Sequence, residues 1–218
     1  GVPFSDPLVD GPVIQRASER ALAAGGTLAT ALDLVAGVRA SVDAGVVLFT
    51  YANPVLRMGL RDFMARAADA GVDGVLVLDL PIEEADGLRG AAADAGIDPI
   101  FLLSPTTTDA RIRRAASLGR GFLYGISRLG VTGAREAIAA GASELAGRIR
   151  AVTDLPIALG FGISRPEHVA AVGRWADAAV VGSALVDVIA RTANGDLSGE
   201  VERYVRWLRG SAPARTRE

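Results

Sequence analysis

The chain contains no cysteine, no lysine and a single histidine, His168. Without cysteine there is no disulfide framework and no thiolate nucleophile. Without lysine there is no side-chain Schiff base and no Walker A phosphate lysine, and all 23 basic residues are arginine. One histidine cannot build a clustered His/Cys zinc site, and a Ser-His-Asp triad would have to run through His168. Long apolar runs are also missing, and a stretch such as Gly74–Leu78 is far too short to span a bilayer. The net charge of −2 gives no electrostatic case for nucleic acid or an anionic membrane. Any chemistry must therefore use carboxylates, tyrosine, hydroxyls, arginine and backbone groups. Half of the 218 residues are hydrophobic, ample for one sizeable core, and the expectation is a cytoplasmic globular protein.

The chain opens on Gly1-Val-Pro-Phe-Ser-Asp-Pro-Leu-Val-Asp-Gly-Pro12, which neither alternates like a strand nor repeats like a helix. Its two internal prolines stiffen a loop that carries Asp6 and Asp10 toward a helix beginning at Pro12. A second helix is predicted after Thr27, with Leu28, Ala31, Leu32, Val35 and Val38 on one face. From Val46 onward apolar stretches alternate with helical ones, and Gly or Pro stands at each junction. Strands are predicted to begin near residues 46, 74, 99, 121, 157 and 178. Helices are predicted over Leu60–Ala70, Glu83–Ala95, Thr108–Ser117, Ser143–Val152, Ala184–Ala190 and Glu200–Arg209, with a short one from Pro166. Ala-Asn-Pro54 reads as the end of a strand, and Ser127–Gly141 as a long polar, Gly-rich loop.

This is the pattern of parallel βα units. Six strands fall short of the eight of a closed (β/α)₈ barrel of about 250 residues. The fit is an α/β chain, a (β/α)₈ TIM barrel lacking its first two strands and first helix, with 1–210 as one domain and 211–218 as a flexible tail. A flavodoxin-like open sheet is the competing fold. The barrel is preferred because polar groups stand at every strand end rather than at one switch point.

Three late stretches suit a phosphate: Gly130-Val-Thr-Gly133, Gly160-Phe-Gly-Ile-Ser164, and Gly182-Ser183 at the start of a helix. Glycines let amides approach an anion, and a helix N-terminus favours it. Each alone would pass for an ordinary turn; three at successive late strand ends favour phosphate binding. Asp10 is either an active-site acid or a helix N-cap, and Asp6 has the same ambiguity as a turn residue. Asp79, at a strand end, would be an acid or the holder of a neighbouring loop. Tyr124 faces either the core or a substrate, His168 reads as surface, and Arg128 flanks the long loop.

Together these motifs resemble the tryptophan synthase α-subunit family. The likeness is carried by the opening twelve residues, Thr-Tyr-Ala-Asn-Pro at 50–54, Asp-Leu-Pro-x-Glu-Glu at 79–84, Ser-Arg-x-Gly-Val-Thr-Gly at 127–133, Gly-Phe-Gly-Ile-Ser at 160–164 and Gly182-Ser183-Ala184. The resemblance implies a lyase of tryptophan biosynthesis that splits indole-3-glycerol phosphate into indole and glyceraldehyde 3-phosphate. It implies no cofactor in this subunit, and a β subunit that carries pyridoxal phosphate in an α2β2 heterotetramer. By motif, Asp10 resembles the carboxylate that accepts the indole N–H as positive charge develops there. Tyr124 and Phe161 resemble substrate-pocket residues. Thr132 looks like the lid threonine that supports Asp10, and Gly133, Gly162, Gly182 and Ser183 like the phosphate cradle. Asp6, Asn53 and Pro54 match surfaces facing the β subunit.

In that family the general acid/base is a glutamate two residues before the glycine that matches Gly1. The sequence therefore reads as N-terminally truncated, and these 218 residues alone are expected to show negligible cleavage. Two other readings compete. Another phosphate-binding barrel enzyme is one, although indole-glycerol-phosphate synthase relies on lysine acids that this chain does not have. A non-catalytic barrel that activates a β-type partner is the other.

Overall fold

The computed structural model describes residues 1–126, 135–160, 162–192 and 195–210, with the backbone alone over 135–140. By internal contacts the chain divides into two compact units: Gly1–Leu102 with Arg113–Leu123, and Leu103–Ile112 with Tyr124–Glu218.

In the first unit, helices α1 (Pro12–Ala23) and α2 (Leu28–Arg39) precede strand β1 (Val47–Thr50). Helices α3 (Ala52–Met58) and α4 (Leu60–Asp69) lead to β2 (Gly74–Val77), and α5 (Asp86–Ala95) to β3 (Asp98–Pro99). The three strands form a parallel sheet in the order β1-β2-β3, with Val47 opposite Gly74 and Gly74 opposite Asp98. β2 is buried along its whole length, as a strand covered on both faces must be. Phe63, Met64 and Ala67 of α4 pack with Leu32, Leu48, Val75 and Leu88 into one core. Thr27 and Thr30 form a reciprocal capping box that fixes the start of α2. On the face predicted for α2, Leu28 and Leu32 are buried and Ala31 and Val35 pack against the core, while Val38 stays 42% exposed.

The second unit contains β5 (Leu123–Ile126) from Tyr124 on, α7 (Arg135–Arg150), β6 (Ile157–Gly160), α8 (Pro166–Val172), β7 (Ala178–Val180), α9 (Ser183–Arg191) and α10 (Leu197–Gly210). These strands belong to a sheet of order β4-β5-β6-β7, where β4 is Phe101–Leu103, and β6 runs parallel to β7. Leu145, Ala146 and Ile149 of α7 and Ile157 and Leu159 of β6 are fully or almost fully buried. Gly125 makes room for this packing, since a Cβ there would lie 2.4 Å from Leu159 Cδ2. Helix α6 (Asp109–Leu118) has residues in both units. Its first turn is held by Arg148, which donates to the Pro105 carbonyl at 3.1 Å and pairs with Asp109 at 2.7 Å.

One device occurs in both units. Asp73, just before β2, accepts the Val46 amide ahead of β1 at 2.6 Å and pairs with Arg39 at the end of α2 at 3.1 Å. Asp177, just before β7, accepts the Ile157 amide at the start of β6 at 2.9 Å and pairs with Arg150 at the end of α7. The arginines are partly exposed, so the ion pairs add little, and the amide bond does most of the holding.

Several expectations are corrected. β1 stops before Ala52-Asn53-Pro54 as expected, but these residues also open a helix that was not predicted, α3, where proline fits the first turn because its missing N–H has no helical partner anyway. The loop predicted over Ser127–Gly141 is helical from Arg135. Gly141 is no breaker there, since the packing of Leu145 and Ile149 outweighs the roughly 1 kcal/mol cost of an interior glycine. The helix predicted from Glu83 is a 3₁₀ turn, Ile82–Glu84, followed by α5. The strand predicted to begin near 99 is two, Asp98–Pro99 and Phe101–Leu103, with Ile100 in neither. Among the described residues no single helix is long and apolar enough to cross a membrane.

Candidate active site

In the first unit the opening loop is folded against the end of β1. The Val2 amide donates to the Phe49 carbonyl at 2.8 Å, extending the edge of the strand. Phe4 stacks on Tyr51 with ring centroids 4.9 Å apart. Tyr51, just past β1, is 3% exposed, and its hydroxyl donates to Asp10 Oδ2 at 2.9 Å. The same hydroxyl accepts the Val9 amide at 3.4 Å. Burial pushes the Tyr51 phenol up to about 12, with the Asp10 hydrogen bond adding to the rise and the Val9 amide opposing it.

Asp10 is therefore not the cap of α1. Gly11 holds that position without any side-chain cap, and the Asp10 carboxylate is turned to Tyr51 instead. Its backbone carbonyl accepts Gln15 Nε2 at 2.9 Å. Asp79 proves to be a holder, since its Oδ1 accepts the Ala52 amide at 2.7 Å and anchors the start of α3. Asp6 is exposed and accepts Ser5 Oγ at 2.5 Å. Asn53 is exposed and Pro54 half-buried on α3, beside Leu56, which is 66% exposed. Leu8 of the opening loop is 86% exposed.

In the second unit Tyr124 is buried on β5, and its ring lies over Gly160 at the end of β6. A Cβ at Gly160 would sit 2.1 Å from the Tyr124 hydroxyl, so only glycine fits under the ring. Burial pushes the Tyr124 phenol up. Gly162 adopts φ +73°, a left-handed turn that favours glycine. Ser164 beyond it is held from two sides: its carbonyl accepts Tyr204 Oη at 3.1 Å and its amide donates to His168 Nδ1 at 3.3 Å. His168, predicted as surface, is thus half-buried and holds this loop. Gly182 precedes α9 with no side-chain cap, and its carbonyl accepts the Leu185 and Val186 amides. The amides of Ser183 and Ala184 come before the first helical hydrogen bond and point out of a positive helix end. Gly162, Gly182 and Ser183 are all exposed.

The structure thus joins Asp10 to Tyr51, Tyr124 to Gly160 and Gly182 to Ser183. Thr132, Gly133, Phe161 and Arg128 lie outside the described residues. Among those described, no group of three or more His, Asp or Glu side chains is placed to hold a metal.

The model of the family described as "Tryptophan synthase alpha chain" matches residues 1–209. The chain belongs to the tryptophan synthase alpha chain family. It is 49% identical over 216 residues to the tryptophan synthase alpha chain of Solibacter usitatus, covering 99% of this chain and 81% of that one. With the alpha chain of Methylococcus capsulatus the identity is 55% over 191 residues, covering 87% and 72%. Among solved structures, a chain of the tryptophan synthase α2β2 complex from Pyrococcus furiosus superposes with a TM-score of 0.88 at 39% identity, covering 95% of this chain and 84% of that one. The alpha subunit from Legionella pneumophila gives 0.86 at 35%, covering 97% and 79%.

The fold is therefore the α/β TIM barrel of the tryptophan synthase alpha chains, and the chain spans about four-fifths of the length of these curated relatives. The α chain is a lyase of tryptophan biosynthesis that uses no cofactor of its own. Sequence reasoning missed Tyr51, which holds Asp10 in the first unit, and His168 and Tyr204, which hold Ser164 in the second. Tyr51 had a visible signal, since an aromatic hydroxyl stands at the end of a strand in the Thr-Tyr-Ala-Asn-Pro stretch. Tyr204 had none, being one more polar residue on an amphipathic helix.

Proposed function

We propose that Asp10 is the charge-stabilising carboxylate of the α reaction, the cleavage of indole-3-glycerol phosphate to indole and glyceraldehyde 3-phosphate. The observation that carries this is the Tyr51–Asp10 hydrogen bond, which aims a half-buried carboxylate away from the helix it was free to cap. As C3 of the indole is protonated, positive charge builds at the ring nitrogen, and a fixed carboxylate accepting its N–H lowers the energy of that state. The retro-aldol step then breaks the bond between C3 and the glycerol chain, with the hydroxyl proton leaving as the aldehyde forms. Both proton transfers belong to the glutamate that the family likeness places two residues before Gly1.

Tyr124, Phe161 and Thr132 are assigned to the substrate pocket and its lid. Gly133, Gly162, Gly182 and Ser183 are assigned to the phosphate. The exposed amides at the start of α9 and the left-handed turn at Gly162 support that assignment, because both suit an anion without lysine. The partner is the β subunit, which brings pyridoxal phosphate and completes an α2β2 assembly. Asp6, Asn53 and Pro54 are assigned to that interface, beside the exposed Leu8 and Leu56, which make a surface with apolar area to bury. We further assign 1–210 to one domain, supported by a family match running through residue 209, with 211–218 as a tail, and place the protein in the cytoplasm.

The test is Asp10→Asn in a chain extended to carry that glutamate before Gly1; the substitution keeps the shape and removes the charge. Indole release is expected to fall by about a hundredfold or more, and calorimetry should show weaker binding of indole-3-glycerol phosphate. Unchanged release and unchanged affinity would remove Asp10 from the mechanism.

A further inference from the structure

We propose that Tyr51 is a positioning residue for the α reaction, holding the Asp10 carboxylate so that one oxygen is left for the substrate's indole N–H. The inference rests on the reading of Asp10 given above.

Asp10 sits on a loop, and such a carboxylate would ordinarily sample several rotamers. Here Oδ2 is taken by the Tyr51 hydroxyl, and Oδ1 has no partner among the described residues. The direction of the bond is settled by the second contact on the phenol. The Val9 amide donates to the hydroxyl oxygen, so the hydroxyl proton is left to point at Asp10. A charge-assisted bond of this kind is stronger than a neutral one and fixes the carboxylate plane.

The phenol is itself well anchored. The residue is 3% exposed, and its ring stacks on Phe4. It directly follows β1 and supplies the N-cap of α3, whose first amide is tied to Asp79. The rigid end of a strand thus reaches back across the opening loop to orient an acid 41 positions away in sequence. Tyr51 touches no reacting atom in this scheme and acts only through Asp10.

The experiment is a double-mutant cycle with Tyr51→Phe, Asp10→Asn and the double variant, each in a chain extended to carry the glutamate before Gly1 and assembled with the β subunit. Phenylalanine keeps the stack on Phe4 and removes only the hydroxyl. Tyr51→Phe is expected to lower kcat for indole release about tenfold through a misplaced carboxylate, with KM within about twofold. In the Asp10→Asn background the same change should have no further effect, because the carboxylate it positions is gone. The affinity for indole-3-glycerol phosphate, measured by calorimetry, runs the same cycle without turnover. A Tyr51→Phe enzyme with wild-type rate and affinity overturns the proposal. So does a loss that multiplies on top of Asp10→Asn, since a purely structural tyrosine would behave that way. Should Asp10→Asn itself have no effect, the reading of Asp10 fails first and this inference falls with it.

Discussion

Gly160→Ala offers a demanding check on the packing at the end of β6. The new methyl would stand 2.1 Å from the Tyr124 hydroxyl, 2.6 Å from Cε2 and 2.7 Å from Cζ. No van der Waals contact is that short, so the ring or the strand has to move. Neither moves freely, because Tyr124 is 8% exposed and Leu159, next to Gly160, is 1% exposed. Overpacking of this kind costs about 1–3 kcal/mol, and the upper part of that range is expected because the clash involves three ring atoms. With a urea m-value of about 3 kcal/mol/M for a chain of this size, the unfolding midpoint should drop by roughly 0.5–1 M. The displaced tyrosine should also weaken binding of indole-3-glycerol phosphate. Tyr124→Leu removes all three clashing atoms, so Gly160→Ala made in that background should cost much less than in the wild type. Equal costs in the two backgrounds, or no cost in either, would refute the idea that the ring dictates glycine at 160.

Three further perturbations follow from contacts described above. Asp79→Ala frees the Ala52 amide at the start of α3 and should cost about 1 kcal/mol in urea unfolding, where Asp79→Asn, which keeps an acceptor, should cost less. All three tyrosines have phenols pushed up, Tyr51 to about 12. Stability held by the neutral phenols should be intact below pH 10 and be lost as the pH climbs toward 12, because the unfolded chain ionises first. Tyr51→Phe should flatten that loss, and urea midpoints taken across this range would show whether it does. Leu56→Arg replaces an exposed leucine on α3 with a charge. A weaker complex with the β subunit is expected, by about tenfold or more if a buried leucine is lost, while unfolding of the isolated α chain should be unchanged.

Much of the fold was readable in the sequence because apolar runs such as Gly74–Val77 are buried on both faces and interrupted by glycines in obligatory places. Local signals worked where local physics decided the outcome, as at Thr27, whose hydroxyl caps α2. They misled where packing overruled them. Gly141 and Pro54 look like breakers, yet one lies inside α7 and the other in the first turn of α3. At the site, the type of residue was legible and its tie was not. Asp10 stood out as an acid in a stiff loop, but its hydrogen bond to Tyr51 spans 41 positions, and nothing in the periodicity of either segment announces it. Tyr204 and His168 hold Ser164 through single bonds from helical residues, which composition and spacing cannot single out.

The paired aspartates ahead of β2 and β7 have a mechanical meaning. Asp73 and Asp177 each bolt the N-terminal end of one strand to that of its neighbour and to the arginine ending the helix before it. At its opposite end β1, which leads into Tyr51, is tied again where Asp79 beyond β2 accepts the Ala52 amide, whereas the opposite end of β6 carries Gly160. The first strand pair is then a beam held at both ends, with Tyr51 beside the second hold, and the β6–β7 pair is clamped by Asp177 at its root, with Gly160 at its tip. Small rotations at the root would be magnified there, and the root is where they are most firmly prevented. Loosening Asp177 should therefore show up as blurred geometry at the tip before the fold itself gives way.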